Sequence, residues 1–200
     1  MKYHCIKQHD ITDCGAACLA TICKQNGYKI GITQIREVAG TDKQGTNAYG
    51  VIKAAEQLGF SAKGVKGTKE AFFSEFPLPC IAHVIVDGQL LHYVVIHKIT
   101  KKQVIIADPG VGIVKLKPEE FFGEVHEEGK VPKYQWSGVL ILLVKNETFK
   151  KGDETKGLFS RFFHLLLPQK KLVLHIFVAS LVYTILGIVG AFYFKELIDS

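Results

Sequence analysis

The sequence lacks a secretory signal, because its first ten residues, MKYHCIKQHD, contain no apolar core of the signal type. It also lacks the even cysteine count that a disulfide framework needs. The five cysteines are Cys5, Cys14, Cys18, Cys23 and Cys80. The thiols are therefore expected to lie in a reducing compartment.

The signatures of several ligands are absent too. No CxxC pair and no HxxxH pair is present, which disfavours a structural zinc site, although a zinc-stabilised, membrane-linked binding domain stays an alternative. The net charge of +6 suits either nucleic acid or an anionic membrane surface. There is no Arg-rich arm or aromatic RNA motif, and the basic residues cluster beside an apolar segment. The sequence therefore favours a membrane and no nucleic acid.

Residues 1–145 are predicted to form one domain with helices first and strands afterwards, which indicates an α+β fold. The helices are predicted from a cap at Thr12 or Asp13 to Gly27, from Thr33 to Val38, from Thr46 or Asn47 to Gly59, and from Thr68 to Phe76. The strands are predicted at Cys80–Val86, Gln89–Ile99, Gln103–Ala107, Ile113–Leu116 and Gly138–Val144. Asp87 and Gly88 predict a two-residue hairpin turn between the first two strands.

The last quarter of the chain has a different character. Residues 146–157 are polar and predict a linker, and residues 158–168 predict a helix lying along the bilayer surface. Residues 172–194 contain no Asp, Glu, Lys or Arg, and this length predicts a helix that crosses a bilayer core of roughly 30 Å. More basic residues precede this segment than follow it, which predicts that the N-terminal domain is cytoplasmic.

Cys14 is a candidate nucleophile because it lies in the first turn of the predicted first helix. The free N–H groups and the positive dipole end of a helix stabilise a thiolate there. Cys18 and Cys23 lie deeper in the same helix and are interpreted as buried structural residues. Without further information, Cys14 has an equally good interpretation as a small buried residue.

A thiol nucleophile also needs a base and a group that orients the base. His92 lies in a strongly apolar strand, where a polar ring needs a partner. His83 is predicted to face His92 across the hairpin, and strand logic alone does not choose between them. His97 is predicted to lie on the opposite face. Asp108 ends the following strand, where it is either the orienting carboxylate or only a turn former.

Four segments resemble a known family. Gln8–Cys18, QHDITDCGAAC, resembles the signature of the double-glycine peptidase domains of bacteriocin-processing ABC transporters, which are papain-like enzymes fused to the N terminus of an exporter. Leu91–Ile96 resembles the histidine motif of that family, and Ala107–Gly110 its aspartate motif. Gly45–Gly50 is also similar. The resemblance covers 1–145 and continues into the first membrane span.

The resemblance implies a role for four residues. Cys14 resembles the nucleophile, His92 the general base and Asp108 the residue that orients the imidazole. Gln8 resembles the glutamine that forms the oxyanion hole with the Cys14 backbone N–H. His83 has no assigned role, and it stands as a neighbour that perturbs the pKa of His92.

The implied reaction is removal of the leader peptide from an exported precursor, after a Gly-Gly, Gly-Ala or Gly-Ser pair. The implied partners are this precursor, whose leader docks as an amphipathic helix, and the rest of an ABC transporter that is expected to be a homodimer. The chain has no GxxxxGK[ST] loop, so no cofactor is expected in it, and ATP and Mg²⁺ belong to a separate nucleotide-binding domain. The expected location is the membrane of a bacterium. A non-catalytic cargo-docking domain and a short stand-alone protease are the alternatives.

Overall fold

A computed structural model describes residues 2–43, 45–124, 131–155 and 167–199. It divides into two compact units, Met1–Thr155 and Lys156–Ser200, which are described separately. The predicted surface helix at 158–168 lies almost entirely outside the described residues.

The first unit has an antiparallel sheet with helices packed against it. Its described helices are α1 (Cys14–Gln25), α2 (Ile32–Ala39), α3 (Ala48–Gln57) and α4 (Pro118–Phe122), with short 3-10 turns at Ile11–Asp13 and Ala71–Phe73. Its strands are β1 (Tyr28–Lys29), β2 (Phe60–Lys66), β3 (Cys80–Val86), β4 (Leu90–Ile99), β5 (Val104–Asp108), β6 (Gly112–Leu116), β7 (Tyr134–Lys145) and β8 (Gly152–Asp153).

The main sheet has six strands in the order β2-β7-β3-β4-β5-β6, and each neighbouring pair is antiparallel. One hydrophobic core joins α1, α2 and α3 to one side of this sheet. A second core contains the aromatic cluster of Phe72, Phe121, Phe122 and Trp136. Helix α1 is buried from Cys14 to Cys23, because small and apolar side chains occupy nearly all of its faces. This buried helix carries the candidate nucleophile at its first residue.

The structure differs from the predicted secondary structure in several places. The hairpin loop between β3 and β4 has three residues, because Val86 pairs with Leu90. His92 therefore lies opposite Val84, and the predicted pairing of His83 with His92 is wrong. The helix predicted after Thr68 is only the 3-10 turn Ala71–Phe73.

The start of α2 and the polar segment after β7 also differ from prediction. Gly31, and not Thr33, caps α2. Residues 146–155, predicted as part of a linker, belong to the first unit. There β8 pairs in parallel with β1, and Phe149 packs against Phe60 with ring centroids 4.7 Å apart. The apolar ring of Phe149 fixes this segment despite its polar composition.

The second unit contains one long helix, α5 (Lys170–Asp199), after a 3-10 turn at Leu167–Gln169. The stretch Lys170–Lys195 is long and apolar enough to cross a membrane, with a mean hydropathy of 2.4. It contains the whole of the span predicted at 172–194.

Candidate active site

The turn that leads into α1 is held by two aspartates. Asp10 Oδ1 accepts the Thr12 N–H at 3.0 Å, and Asp13 Oδ2 accepts the Asp10 N–H at 3.1 Å. This reciprocal arrangement has the form of a capping box, in which Asp10 caps the 3-10 turn Ile11–Asp13. Asp13, one of the two caps predicted for α1, occupies its N-cap position but makes no capping hydrogen bond with its side chain there. Asp13 is buried, and its Oδ1 forms an ion pair with Arg36 Nη1 at 2.6 Å. The turn places Cys14 at the start of α1 with its side chain 6% exposed.

His92 on β4 and Asp108 at the end of β5 form a buried pair. The His92 Nε2 to Asp108 Oδ1 distance is 2.9 Å, and the two residues are only 5% and 3% exposed. The Cys14 thiol lies close enough to the same imidazole to help raise the pKa of His92. Because Nε2 faces Asp108, the second ring nitrogen, Nδ1, remains for the thiol. The structure thus brings Cys14, His92 and Asp108 together in that order.

Two further groups hold the Asp108 carboxylate. The Gly110 N–H donates to Asp108 Oδ1 at 2.8 Å within the Asp-Pro-Gly turn. The Tyr134 hydroxyl, from the first residue of β7, donates to Asp108 Oδ2 at 2.6 Å. Asp108 is therefore more than a turn former. Sequence reasoning missed Tyr134, because no local motif marks it and its contact depends on the order of the strands.

The electrostatics of this array favour an ionised pair. Burial lowers the pKa of His92, but the hydrogen bonds and charges of Asp108 and Cys14 outweigh it and raise the pKa to about 9. Burial raises the pKa of Asp108, but hydrogen bonds from His92 and Tyr134 reverse the shift and lower the pKa to about 2. At neutral pH, His92 is therefore an imidazolium beside a carboxylate.

Cys14 opens onto a cleft of about 480 Å³. The loop between α2 and α3 and the start of α3 form one wall, and β3 and β4 form the other. Residues that line the cleft include Thr12, Gly45, Thr46, Asn47, His83, Leu91 and Tyr93. Part of the Gly45–Gly50 segment, which the sequence comparison singled out, thus forms a wall of the cleft.

Gln8 lies in an extended N-terminal segment beside the turn after β5. Its backbone N–H donates at 3.1 Å to the carbonyl of Pro109, the residue that follows Asp108. Its side-chain Oε1 is buried and has no hydrogen-bond partner among the described residues. The oxyanion role of Gln8 stays a prediction.

The rival histidines have other partners. His97 Nε2 bonds to the His4 carbonyl at 2.8 Å, and the His97 ring stacks on Tyr3. His83 bonds to Ser137 Oγ at 2.8 Å. Burial and then the charge of His92 lower the pKa of His83, so the perturbation runs from His92 to His83. Among the described residues, neither rival forms a hydrogen bond or an ion pair with Asp108.

Burial changes the acidity of several of the other thiols. It raises the pKa of Cys23 to about 12 and that of Cys18 and Cys80 well above the ordinary value. All five cysteines are free. Within the described residues, no group of three His, Cys, Asp or Glu side chains is arranged to hold a metal ion.

Two similar proteins are named for processing and transport. The lactococcin-G-processing and transport ATP-binding protein LagD of Lactococcus lactis is 37% identical over 98% of this chain. The mesentericin-Y105 transport/processing ATP-binding protein MesD of Leuconostoc mesenteroides is 35% identical over the whole chain. The chain spans only 25% and 26% of these two relatives.

Two solved structures that resemble this chain are also peptidases of such proteins. The peptidase domain of Streptococcus ComA matches 72% of this chain and 100% of its own length, with a TM-score of 0.63 and 33% identity. A double-glycine-motif protease, solved in complex with a leader peptide, matches 72% of this chain and 93% of its own, with a TM-score of 0.61 and 30% identity. These matches confirm the predicted α+β, papain-like peptidase fold. The profile of the Peptidase C39 family matches residues 2–148, and the chain belongs to this family of peptidases.

Proposed function

We propose that this chain is a cysteine endopeptidase that removes the leader peptide of an exported precursor after a double-glycine-type site. The observation that carries the proposal is the buried array in which the Cys14 thiol lies beside the His92 ring and Asp108 binds His92 Nε2. A thiol, an imidazole and a carboxylate in this order are the parts that nucleophilic catalysis of acyl transfer requires.

The first half of the reaction forms a thioester. His92 takes the proton of the Cys14 thiol, and the sulfur attacks the carbonyl carbon of the scissile peptide bond. The negative charge that develops on the carbonyl oxygen is stabilised by the Cys14 backbone N–H and the Gln8 side-chain amide. As the C–N bond breaks, the His92 imidazolium gives its proton to the leaving amine.

The second half restores the enzyme. Neutral His92 takes a proton from a water molecule, whose oxygen attacks the thioester carbon. The C–S bond then breaks, the leader leaves with a free carboxylate, and the Cys14 sulfur takes back the proton from His92. Asp108 keeps the imidazole ring oriented in both halves and stabilises its positive charge. Gly110 and Tyr134 hold Asp108 in turn, so the carboxylate needs no rearrangement during the cycle.

The substrate class follows from the relatives and from the cleft. One similar protease is named for its double-glycine motif and was solved with a leader peptide, and others are named for processing lactococcin G and mesentericin Y105. Small residues before the scissile bond suit a narrow cleft, which rejects larger side chains by steric exclusion.

The transporter part of the proposal rests on the relatives and on α5. Proteins named as transport ATP-binding proteins match the full length of this chain, which spans about a quarter of them. We infer that α5 crosses a bacterial membrane as the first span of an ATP-driven peptide exporter that works as a homodimer. The excess of basic residues before the span supports a cytoplasmic peptidase unit.

The test is cleavage of a synthetic double-glycine precursor by the full chain in detergent, followed by mass spectrometry. We expect one cut after the pair, total loss of cleavage in Cys14→Ala and His92→Ala, and retained cleavage in His83→Ala. Wild-type cleavage by the Cys14→Ala variant would refute the assignment.

Iodoacetamide labelling at neutral pH separates the enzyme from a non-catalytic docking domain. Labelling selective for Cys14 supports the enzyme, since burial raises the pKa of Cys18, Cys23 and Cys80. An inert Cys14 supports the docking domain. His97→Ala is the control variant, because His97 lies outside the array of Cys14, His92 and Asp108.

A further inference from the structure

His83 lies at an irregularity of the sheet. Ala82 on β3 pairs with Leu140 on β7, while Val84 pairs with Trp136. His83 alone therefore faces three residues of β7, namely Ser137, Gly138 and Val139. Gly138 has a φ of 85°, in the left-handed region. Such bulges re-aim side chains, often beside active sites.

Ser137 fixes the protonation pattern of the His83 ring. The Ser137 hydroxyl donates to the His83 carbonyl at 3.0 Å, and this uses its single proton. The hydroxyl oxygen, 2.8 Å from His83 Nδ1, is therefore the acceptor of a hydrogen bond that Nδ1–H donates. In the neutral ring, Nε2 is then an acceptor, and it has no partner among residues that the structure describes.

The surroundings keep the His83 ring neutral, and the residue lines the cleft. His83 lines the same cavity as Cys14 and Leu91. Its ring packs edge-on against Tyr93 with centroids 5.3 Å apart. Burial and the nearby charge of His92 both lower the pKa of His83. At neutral pH His83, which lines the cleft, is therefore an uncharged imidazole, whereas the buried His92 carries a charge.

A double-glycine site creates a particular need for such an acceptor. Glycine has no side chain, so the cleft recognises the residues before the scissile bond only by excluding bulk and by bonding to backbone groups. A backbone N–H that enters a closed cleft without an acceptor loses its bond to water, at a cost comparable to a lost hydrogen bond.

We propose that His83 Nε2 accepts a hydrogen bond from a backbone N–H of the leader's C-terminal segment and so positions the glycine pair against Cys14. His83 is then a substrate-binding residue that takes no part in the proton transfers. This inference rests on the proposed function and names one contact of the same cleft.

Two amide variants form a matched pair for the test. In His83→Asn, the short side chain retains a contact to Ser137 but loses the acceptor at the position of Nε2. In His83→Gln, the longer side chain offers an amide oxygen near that position. With the full chain in detergent and a synthetic double-glycine precursor, we expect KM to rise about fivefold to tenfold in His83→Asn. We expect kcat to change by less than about twofold and His83→Gln to recover most of the loss.

Ester substitution in the precursor identifies the N–H. Replacing one non-scissile amide at a time by an ester removes one N–H. For the wild-type chain we expect one position to raise KM by about the same factor as His83→Asn, and for His83→Asn we expect no further rise at that position. Thermal unfolding and the iodoacetamide rate at Cys14 check that the variants retain the native site.

Three results would overturn the inference. They are an unchanged KM in His83→Asn, a loss that falls on kcat instead of KM, and ester effects that are equal in both enzymes. Failure of the proposed function looks different, because the wild-type chain would then cleave none of the precursors.

Discussion

Removal of the Tyr134 hydroxyl isolates the contribution of one hydrogen bond to the array. Tyr134 is 1% exposed and Asp108 is 3% exposed, and their oxygens are 2.6 Å apart. Tyr134→Phe deletes the donor and retains the aromatic ring, so packing is almost unchanged. A hydrogen bond to a buried charged group contributes about 1.5–3 kcal/mol. We expect the free energy of unfolding at pH 7 to fall by this amount.

The loss of stability in Tyr134→Phe should become smaller as the pH falls. The pKa of Asp108 is lowered to about 2 in the folded chain, below its ordinary value of 3.8, so the carboxylate contributes stability above about pH 4 that is lost as pH falls through 2. Without the Tyr134 donor, the folded pKa moves up towards 3.8. The stability gap between wild type and variant should therefore narrow between pH 4 and pH 2.

Urea unfolding followed by fluorescence measures this effect in the full chain. The only tryptophan, Trp136, lies two residues from Tyr134 and is 8% exposed, so its emission reports on this part of the sheet. Tyr49→Phe is the matched control, because Tyr49 is 68% exposed and its change should stay within about 0.5 kcal/mol. Equal urea midpoints for wild type and Tyr134→Phe at pH 7, or a gap that persists at pH 2, would refute the reasoning.

Two further predictions concern the charge of Asp108 and the packing of α3. Asp108→Asn retains an oxygen for His92 and Gly110 but removes the charge, so the pKa of His92 should fall from about 9 towards 6.5. The alkaline limb of the pH–rate profile should move down with it, and an unmoved limb would show that this limb reports another group. Below pH 6.5 the raised pKa of His92 contributes its full stability, which is lost as pH rises through 9. Gly50→Ala should unfold the first unit or lower its melting temperature strongly, because the added carbon would lie 2.2 Å from the Ala39 carbonyl oxygen. Gly31→Ala is the control, because its added carbon would make only an ordinary contact at 3.7 Å. Similar melting temperatures of the two variants would contradict the reasoning.

Features encoded by short stretches of sequence were predicted well. The small, apolar run after Asp13 gives α1 and puts Cys14 at its start, and the Val- and Ile-rich runs give β3 and β4. Strand β2, Phe60–Lys66, was missed because it contains Gly64 and several polar residues and has mostly exposed or half-buried side chains. A strand of this kind is defined by its pairing with β7 and not by its own composition.

Features that depend on distant partners were predicted poorly. A change of one residue in a hairpin loop shifts every cross-strand pair, and this is why His83 was placed opposite His92. Tyr134 contacts Asp108 across 26 positions of sequence, and nothing local marks it. The helix expected after Thr68 fails because Phe72 is anchored in the aromatic cluster with Phe121, Phe122 and Trp136. Tertiary packing overrides helix propensity there.

The extended N-terminal segment connects α1 to the end of β5 through hydrogen bonds. The Ile6 N–H donates to Thr21 Oγ1 on α1 at 2.8 Å. The Cys5 thiol donates to the Asp108 carbonyl at 3.4 Å, and the Gln8 N–H donates to the next carbonyl, Pro109. One extended segment thus ties α1, which carries the candidate nucleophile Cys14, to the end of β5, which carries Asp108. The Gln8–Pro109 tie joins two backbone groups, so it holds the Gln8 backbone beside the end of β5 whatever the Gln8 side chain does. Gln8, the predicted oxyanion donor, and Asp108 are therefore both tied to the segment that binds α1, and stabilisation of a developing oxyanion requires such preorganisation.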